Sequence, residues 1–104
     1  MSHRMVIVYG APEDPAAFRR YYEDHHVPLA RAMAGLTRWD LVWLDRGGDG
    51  DGRYALVAEL TAESAEAMDR VLATPEGRAA RDDLERFVTG TVDFLRGDVE
   101  EVAL

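Results

Sequence analysis

In each half of this 104-residue chain, two strand-like segments enclose helix-like segments, and this alternation restricts the possible folds more than any other feature. In the first half, apolar side chains on both faces of residues 4–10 predict a central strand. Asp14 followed by Pro15 predicts a helix start, since Asp caps free amides and Pro suits the first helical position. Residues 36–45 then alternate as a second strand.

The second half repeats the same order after a glycine-rich connection at residues 46–52. Residues 53–61 predict a strand that forms a hairpin with the strand before it. Ser64 predicts the cap of one helix, and Thr74 with Pro75 predicts the start of another that runs to about residue 86. A last strand is predicted over residues 91–102.

Two split βαβ units joined by a hairpin predict an α+β, ferredoxin-like βαββαβ fold with a four-stranded antiparallel sheet. The chain length suits a single domain over residues 1–104. Both helices would cover one sheet face, and the other would present Val6, Val8, Val42 and Leu44. An exposed apolar sheet needs a cover, and the simplest cover is the same face of a second copy. We therefore expect a homodimer through the sheet faces.

Composition restricts the partners and the chemistry. The chain has no cysteine, which excludes disulfides and thiolate sites and suits a reducing cytoplasm. A formal net charge of −8 disfavours nucleic acid and anionic membranes as partners. The apolar run at residues 5–9 is too short to span a membrane. Adjacent His25 and His26 lack the spacing of a zinc helix, so we expect no metal site.

The first predicted helix carries the residues best suited to chemistry. At 100° per residue, Phe18, Tyr21, Tyr22, His25 and Leu29 share one stripe, which turns His25 towards the sheet and places His26 on the flank. A histidine beside a helix–sheet cavity could transfer protons near neutral pH, with Tyr22 orienting a ligand oxygen. The alternative is that these side chains pack in the core and that the histidines are structural.

A small apolar or aromatic ligand would contact four further residues. Trp39 and Trp43 lie two residues apart on one strand face and could form the wall of an aromatic pocket. They could equally fill the core or the dimer interface. Phe18 and Leu29 belong to the helix stripe that would close the pocket.

The chain also resembles a known family. Residues 18–30, FRRYYEDHHVPLA, look like the signature of the EthD family, as do residues 35–39, GLTRW. The family usually has proline where this chain has Ala34. The segments 74–77 and 83–87 resemble the second helix of the family.

The resemblance implies a dimeric α+β barrel and no typical cofactor. Family relatives include an accessory protein for oxidative ether degradation and decarboxylases, oxygenases and an isomerase acting on small molecules. Whether this chain is itself an enzyme or a non-catalytic dimeric carrier stays open. By the motif, His26 takes the family's histidine position before x-Pro, whereas the helical wheel favours His25.

Overall fold

The protein is described from a computed structural model that covers residues 1–45 and 52–104. Most of the predicted glycine-rich connection lies outside the described residues. In chain order, the elements are β1 (His3–Gly10), α1 (Pro15–Tyr21), a π-helical turn (Tyr22–His26), α2 (Val27–Ala30), β2 (Arg38–Trp43), β3 (Tyr54–Ala62), α3 (Ala65–Ala73), α4 (Pro75–Asp83), a 3-10 turn (Leu84–Arg86) and β4 (Val92–Asp98).

The four strands form one antiparallel sheet in the order β2-β3-β1-β4. This is the predicted ferredoxin-like α+β fold. Ile7 on the central strand lies opposite Ala58 on one side and Phe94 on the other. The last strand ends at Asp98, four residues earlier than the sequence predicts.

The two sheet faces have different environments. Met5, Ile7 and Tyr9 point to the helices and are buried, while the intervening valines are only half-buried. On the second face, the strand register aligns Val8, Val57 and Val42 in a row across three strands. Because helices cover only one face, the second face is open in the single chain. It is only partly apolar, since Arg4, Asp40 and Glu59 lie on it beside the valine row.

Side-chain caps begin the helices at the predicted positions. Asp14 Oδ1 accepts a hydrogen bond from the amide of Ala17 at 3.1 Å, and Ser64 Oγ accepts one from the amide of Ala67 at 3.0 Å. Thr74 Oγ1 accepts from the amide of Gly77 in the same way. Each cap satisfies an amide that has no partner within the helix.

The chain around Pro28 follows its prediction in part. The pair Val27-Pro28 predicts an end or a kink of the first helix, followed by a second short helical turn over residues 28–34. That turn is present as α2, but Val27 keeps helical angles, so the helix does not stop before it. Pro28 offers no amide, and its ring clashes with the carbonyl one α-turn earlier. The chain accommodates this with a π-helical turn in which the amide of Val27 donates to the carbonyl of Tyr22, five residues back.

Candidate functional site

The π-helical turn decides which histidine faces the sheet. A turn closed five residues back contains one residue more than an α-helical turn, so the inward positions shift along the chain. His26 is 5% exposed and Tyr22 is 1% exposed, whereas His25 lies on the surface. The helical wheel was therefore wrong in turning His25 inward, because it assumed a uniform 100° per residue. Leu29, 37% exposed, falls outside the buried stripe for the same reason.

Two side chains, Asp83 and Tyr21, form a hydrogen-bonded chain behind the buried histidine, with an arginine nearby. His26 Nδ1 lies 3.0 Å from Asp83 Oδ2, and the Tyr21 hydroxyl donates to Asp83 Oδ1 at 2.8 Å. Arg86 Nε lies 4.0 Å from the same Oδ1. The carboxylate can only accept, so Nδ1 must carry a proton. This fixes the tautomer that leaves Nε2 unprotonated when the ring is neutral.

Two opposing effects act on the histidine. Burial lowers the pKa of His26 below its ordinary value of 6.5, and the hydrogen bond and charge of Asp83 partly oppose this. The net effect favours the neutral imidazole near neutral pH. A neutral ring held by a carboxylate can accept a proton at Nε2, after which the carboxylate stabilises the imidazolium.

A cavity of about 280 Å³ lies between the helices and the sheet, beside His26. Its wall is mainly apolar and aromatic, with arginines and one carboxylate from α4. Its aromatic and polar lining residues include Tyr9, Tyr22, His26, Trp39, Phe94, Arg78, Arg81 and Asp82. This volume is close to the lower end for small-molecule sites.

Two buried polar atoms belong to side chains of the cavity wall. Trp39 Nε1 is shielded and forms no hydrogen bond within the part of the chain that the structure describes, and the equally shielded Tyr9 hydroxyl lies near that of Tyr22 without a hydrogen bond of good geometry. Burial raises the pKa of Tyr9 to about 12, an effect that the nearby Tyr22 hydroxyl opposes. Burial also raises the pKa of Tyr22. Buried polar atoms without partners are uncommon, so both atoms are suited to binding a polar group of a ligand.

The predicted site residues fall into two groups. Tyr22, His26 and Trp39 line the cavity. Phe18 and Trp43 instead join an aromatic cluster next to it, with their ring centroids 6.3 Å apart and Trp43 5.6 Å from Tyr22. The structure does not bring Phe18, Trp43, Leu29 or His25 to the cavity wall. The role of each predicted residue in catalysis or ligand binding stays a prediction.

Sequence reasoning missed the partners of the histidine. Asp83 lies 57 residues from His26 along the chain, and nothing in its local pattern marks it. Its position three residues before Arg86, at the end of a helix rich in polar residues, looks like that of an ordinary surface carboxylate. Tyr9 is marked by its sequence pattern only as a strand residue.

No group of three or more histidine, aspartate or glutamate side chains in residues 1–45 and 52–104 is placed to hold a metal ion. No described helix is long and apolar enough to cross a membrane.

Comparison with known proteins identifies relatives of the whole chain. An 11.0 kDa uncharacterised protein from the thcB-thcC intergenic region of Rhodococcus erythropolis is 38% identical over 101 residues, covering 96% of this chain and 97% of that protein. The crystal structure of an ethyl tert-butyl ether D (EthD) family protein from Bacillus halodurans superposes with a TM-score of 0.89 and 25% identity, covering 96% of this chain and all of the other.

A more distant structure shares the fold. A point mutant of SnoaB, a cofactor-independent oxygenase from Streptomyces nogalater, superposes with a TM-score of 0.70 and 18% identity, covering 97% of this chain and 95% of that chain. The EthD domain model matches residues 11–91. The matched segment spans most of the chain and contains both the π-helical turn and Asp83. Because the match is this extensive, the chain belongs to the EthD domain family.

Proposed function

We propose that this protein binds a small apolar or aromatic molecule in the helix–sheet cavity and that His26 removes a proton from it. The observation that carries the proposal is the geometry of His26, whose Nδ1 is bound to a buried carboxylate while its side chain lines the cavity. The chemistry would be of the decarboxylase, isomerase or oxygenase type, each of which needs a base beside an acidic C–H or O–H group.

The wall residues support the same chemistry. Removal of a proton next to a carbonyl places negative charge on the ligand oxygen, which donors in a shielded site stabilise. Trp39 Nε1 can only donate, and the raised pKa of Tyr9 keeps its hydroxyl protonated. Trp39 Nε1 has no partner among the described residues, and the Tyr9 hydroxyl has the Tyr22 hydroxyl near it but no hydrogen bond of good geometry. Tyr22, whose ring centroid lies 4.8 Å from that of His26, would orient the ligand.

The fold is compatible with this activity. SnoaB is a cofactor-independent oxygenase with a similar backbone. Since one fold supports many reactions, the similarity is compatible with proton-transfer chemistry and leaves both the reaction and the substrate to experiment.

We also infer a homodimer through the open sheet face, in a cytoplasmic protein. Val42 and Leu95 are 44% and 56% exposed. Val42 ends the row that Val8 and Val57 form across the sheet. Leu95 lies opposite Val6 on the same face. The same face of a second copy would cover these side chains. Two sheets packed in this way form the dimeric barrel.

Proton abstraction can be tested by deuterium exchange. 2-Tetralone, an aromatic ketone with acidic C–H groups, is incubated with the protein in D₂O, and deuterium uptake is followed by mass spectrometry. We expect the wild type to accelerate uptake and His26→Gln to lose about a hundredfold or more of that acceleration. His25→Gln is the matched control and keeps the wild-type rate, because His25 lies on the surface.

A circular dichroism spectrum and an unfolding midpoint confirm that each variant is folded. Equal acceleration by the wild type and a folded His26→Gln variant would contradict a role for His26. The second candidate function is a non-catalytic carrier, favoured by the nearly complete burial of His26. It predicts ligand binding with no exchange above the rate in buffer.

A further inference from the structure

Two arginines of α4 lie at the cavity. Arg78 and Arg81 are three residues apart, about one turn of the helix, and both line the cavity while remaining exposed to solvent. The Arg81 guanidinium carbon lies 4.1 Å from the centroid of the Phe94 ring. This cation–π contact holds the charge over a wall residue rather than leaving it free in solvent.

Neither guanidinium is neutralised by a carboxylate in the described parts of the chain. Some other arginines are paired, such as Arg19 with Glu23 at 2.9 Å and Arg96 with Asp69 at 2.8 Å, while Arg20, Arg31 and Arg70 also lack an ion pair among the described residues but do not line the cavity. Arg78 and Arg81 form no such ion pair within residues 1–45 and 52–104.

The charge of the cavity wall differs from that of the protein. The chain carries a formal net charge of −8, yet the described wall has two arginines and a single carboxylate, Asp82. Asp83 lies behind His26, where its oxygens are already bound by His26 and Tyr21. The wall thus has more cationic than anionic side chains in an acidic molecule, which favours an anion beside the two arginines.

We propose that the ligand is an apolar or aromatic acid whose carboxylate is bound by Arg78 and Arg81 at the entrance. This inference rests on the proposed function only in taking the cavity as the ligand site. The apolar body of the acid fills the cavity, and the carboxylate stays at the exposed rim, so little of its hydration is lost. Guanidinium groups suit this task because their planar N–H donors match the two oxygens of a carboxylate.

The position of the arginines also orients the ligand. A carboxylate held at α4 directs the opposite end of an aromatic acid into the cavity, towards the sheet and His26. The arginines would then act in recognition, and the histidine would act on the buried end. The two tasks are separable by mutation.

Matched acids and amides test the inference. The probes are 2-naphthoate and benzoate, each compared with its neutral amide, and binding is followed by quenching of tryptophan fluorescence, since Trp39 lines the cavity. Isothermal titration calorimetry supplies the dissociation constants. We expect each acid to bind about tenfold more tightly than its amide, as one charge-assisted hydrogen bond provides. The preference should weaken in high salt.

The variants Arg78→Gln and Arg81→Gln, singly and together, should remove the preference for the acids, so that the ratio of the amide and acid dissociation constants falls to about one. Arg20→Gln is the matched control, because Arg20 is an exposed arginine of α1 that does not line the cavity. It should behave as wild type.

The outcomes separate the two proposals. Equal binding of acid and amide by the wild type would overturn the carboxylate inference and leave the cavity as a ligand site. A preference that survives in the double variant would also overturn it. Failure of all four probes to bind would remove the premise that the cavity takes aromatic ligands, and the inference with it.

Discussion

His26 Nδ1 and Asp83 Oδ2 lie 3.0 Å apart, and the two side chains are 6% and 8% exposed. Two buried polar groups that bind each other are tolerated in the folded protein. Loss of either one lowers the free energy of unfolding, because the other is left buried without its partner. The pair connects the π-helical turn to the end of α4, and these two segments also enclose part of the cavity.

Replacement of Asp83 by Asn should lower the pKa of His26 further. The carboxylate opposes the effect of burial by its hydrogen bond and charge, and the amide retains only a neutral contact. NMR titration of the His26 ring signals measures the change. Asp98→Asn, which alters the carboxylate next to His3 instead, is the control and should leave the His26 titration unchanged. An unchanged or higher His26 pKa in Asp83→Asn would contradict the arrangement.

Acid should destabilise the protein through His26. Because the folded pKa of His26 lies below its unfolded value of 6.5, the unfolded chain binds more protons when the pH falls below about 6.5. Stability therefore rises with pH up to that point, by at most about 1.4 kcal/mol per pH unit from this group. Urea unfolding at pH 7.5 and pH 5.5 gives the difference in the free energy of unfolding.

The contribution of His26 is isolated by comparison of variants. His26→Gln should lose less stability between pH 7.5 and pH 5.5 than wild type, whereas the surface variant His25→Gln should match wild type. If His26→Gln loses as much stability on acidification as the wild type, the pKa of His26 is not lowered by folding.

Loss of the Tyr21 hydroxyl should have the opposite effect on His26. Tyr21→Phe removes the donor to Asp83 Oδ1, so the carboxylate keeps more of its charge for the imidazolium. The His26 pKa should rise, and the free energy of unfolding should fall by about 1 kcal/mol. The same NMR titration and urea unfolding measure both quantities. A lower His26 pKa in Tyr21→Phe would show that the hydroxyl does not act through Asp83.

The open sheet face should mediate dimer formation. Val42→Lys places a charge at an exposed apolar position of β2 and should raise the dimer dissociation constant by about tenfold or more. Sedimentation equilibrium measures the constant. Leu29→Lys changes a residue of similar exposure on the helical side and should have no effect. A monomeric wild type, or equal effects of the two variants, would reject the face as an interface.

The fold was predictable because several local signals agree. Strand alternation, the caps at Asp14, Ser64 and Thr74, and proline at two helix starts all favour the same element order. These signals depend on neighbouring residues, which a sequence displays directly. The ends of β4 and of the helical turn that contains Pro28 differ from the prediction.

The site was less predictable because it depends on an irregular helical turn and on one long-range contact. A helical wheel assumes a constant rotation per residue and so cannot include the extra residue of the π-helical turn. The family motif, in contrast, favours His26. Asp83 reaches that histidine only after α4 has packed beside the first helix, and no spacing rule relates positions 57 residues apart.

The proposed proton transfer requires His26 to present an unprotonated Nε2 to the ligand cavity. ¹⁵N NMR of the histidine ring nitrogens, with and without 2-naphthoate at pH 7.5, measures this most directly. We predict a proton on Nδ1, a free Nε2, and a change of the Nε2 signal when the probe binds. A His26 protonated on Nε2, or a ring whose signals do not respond to bound probe, would contradict the account.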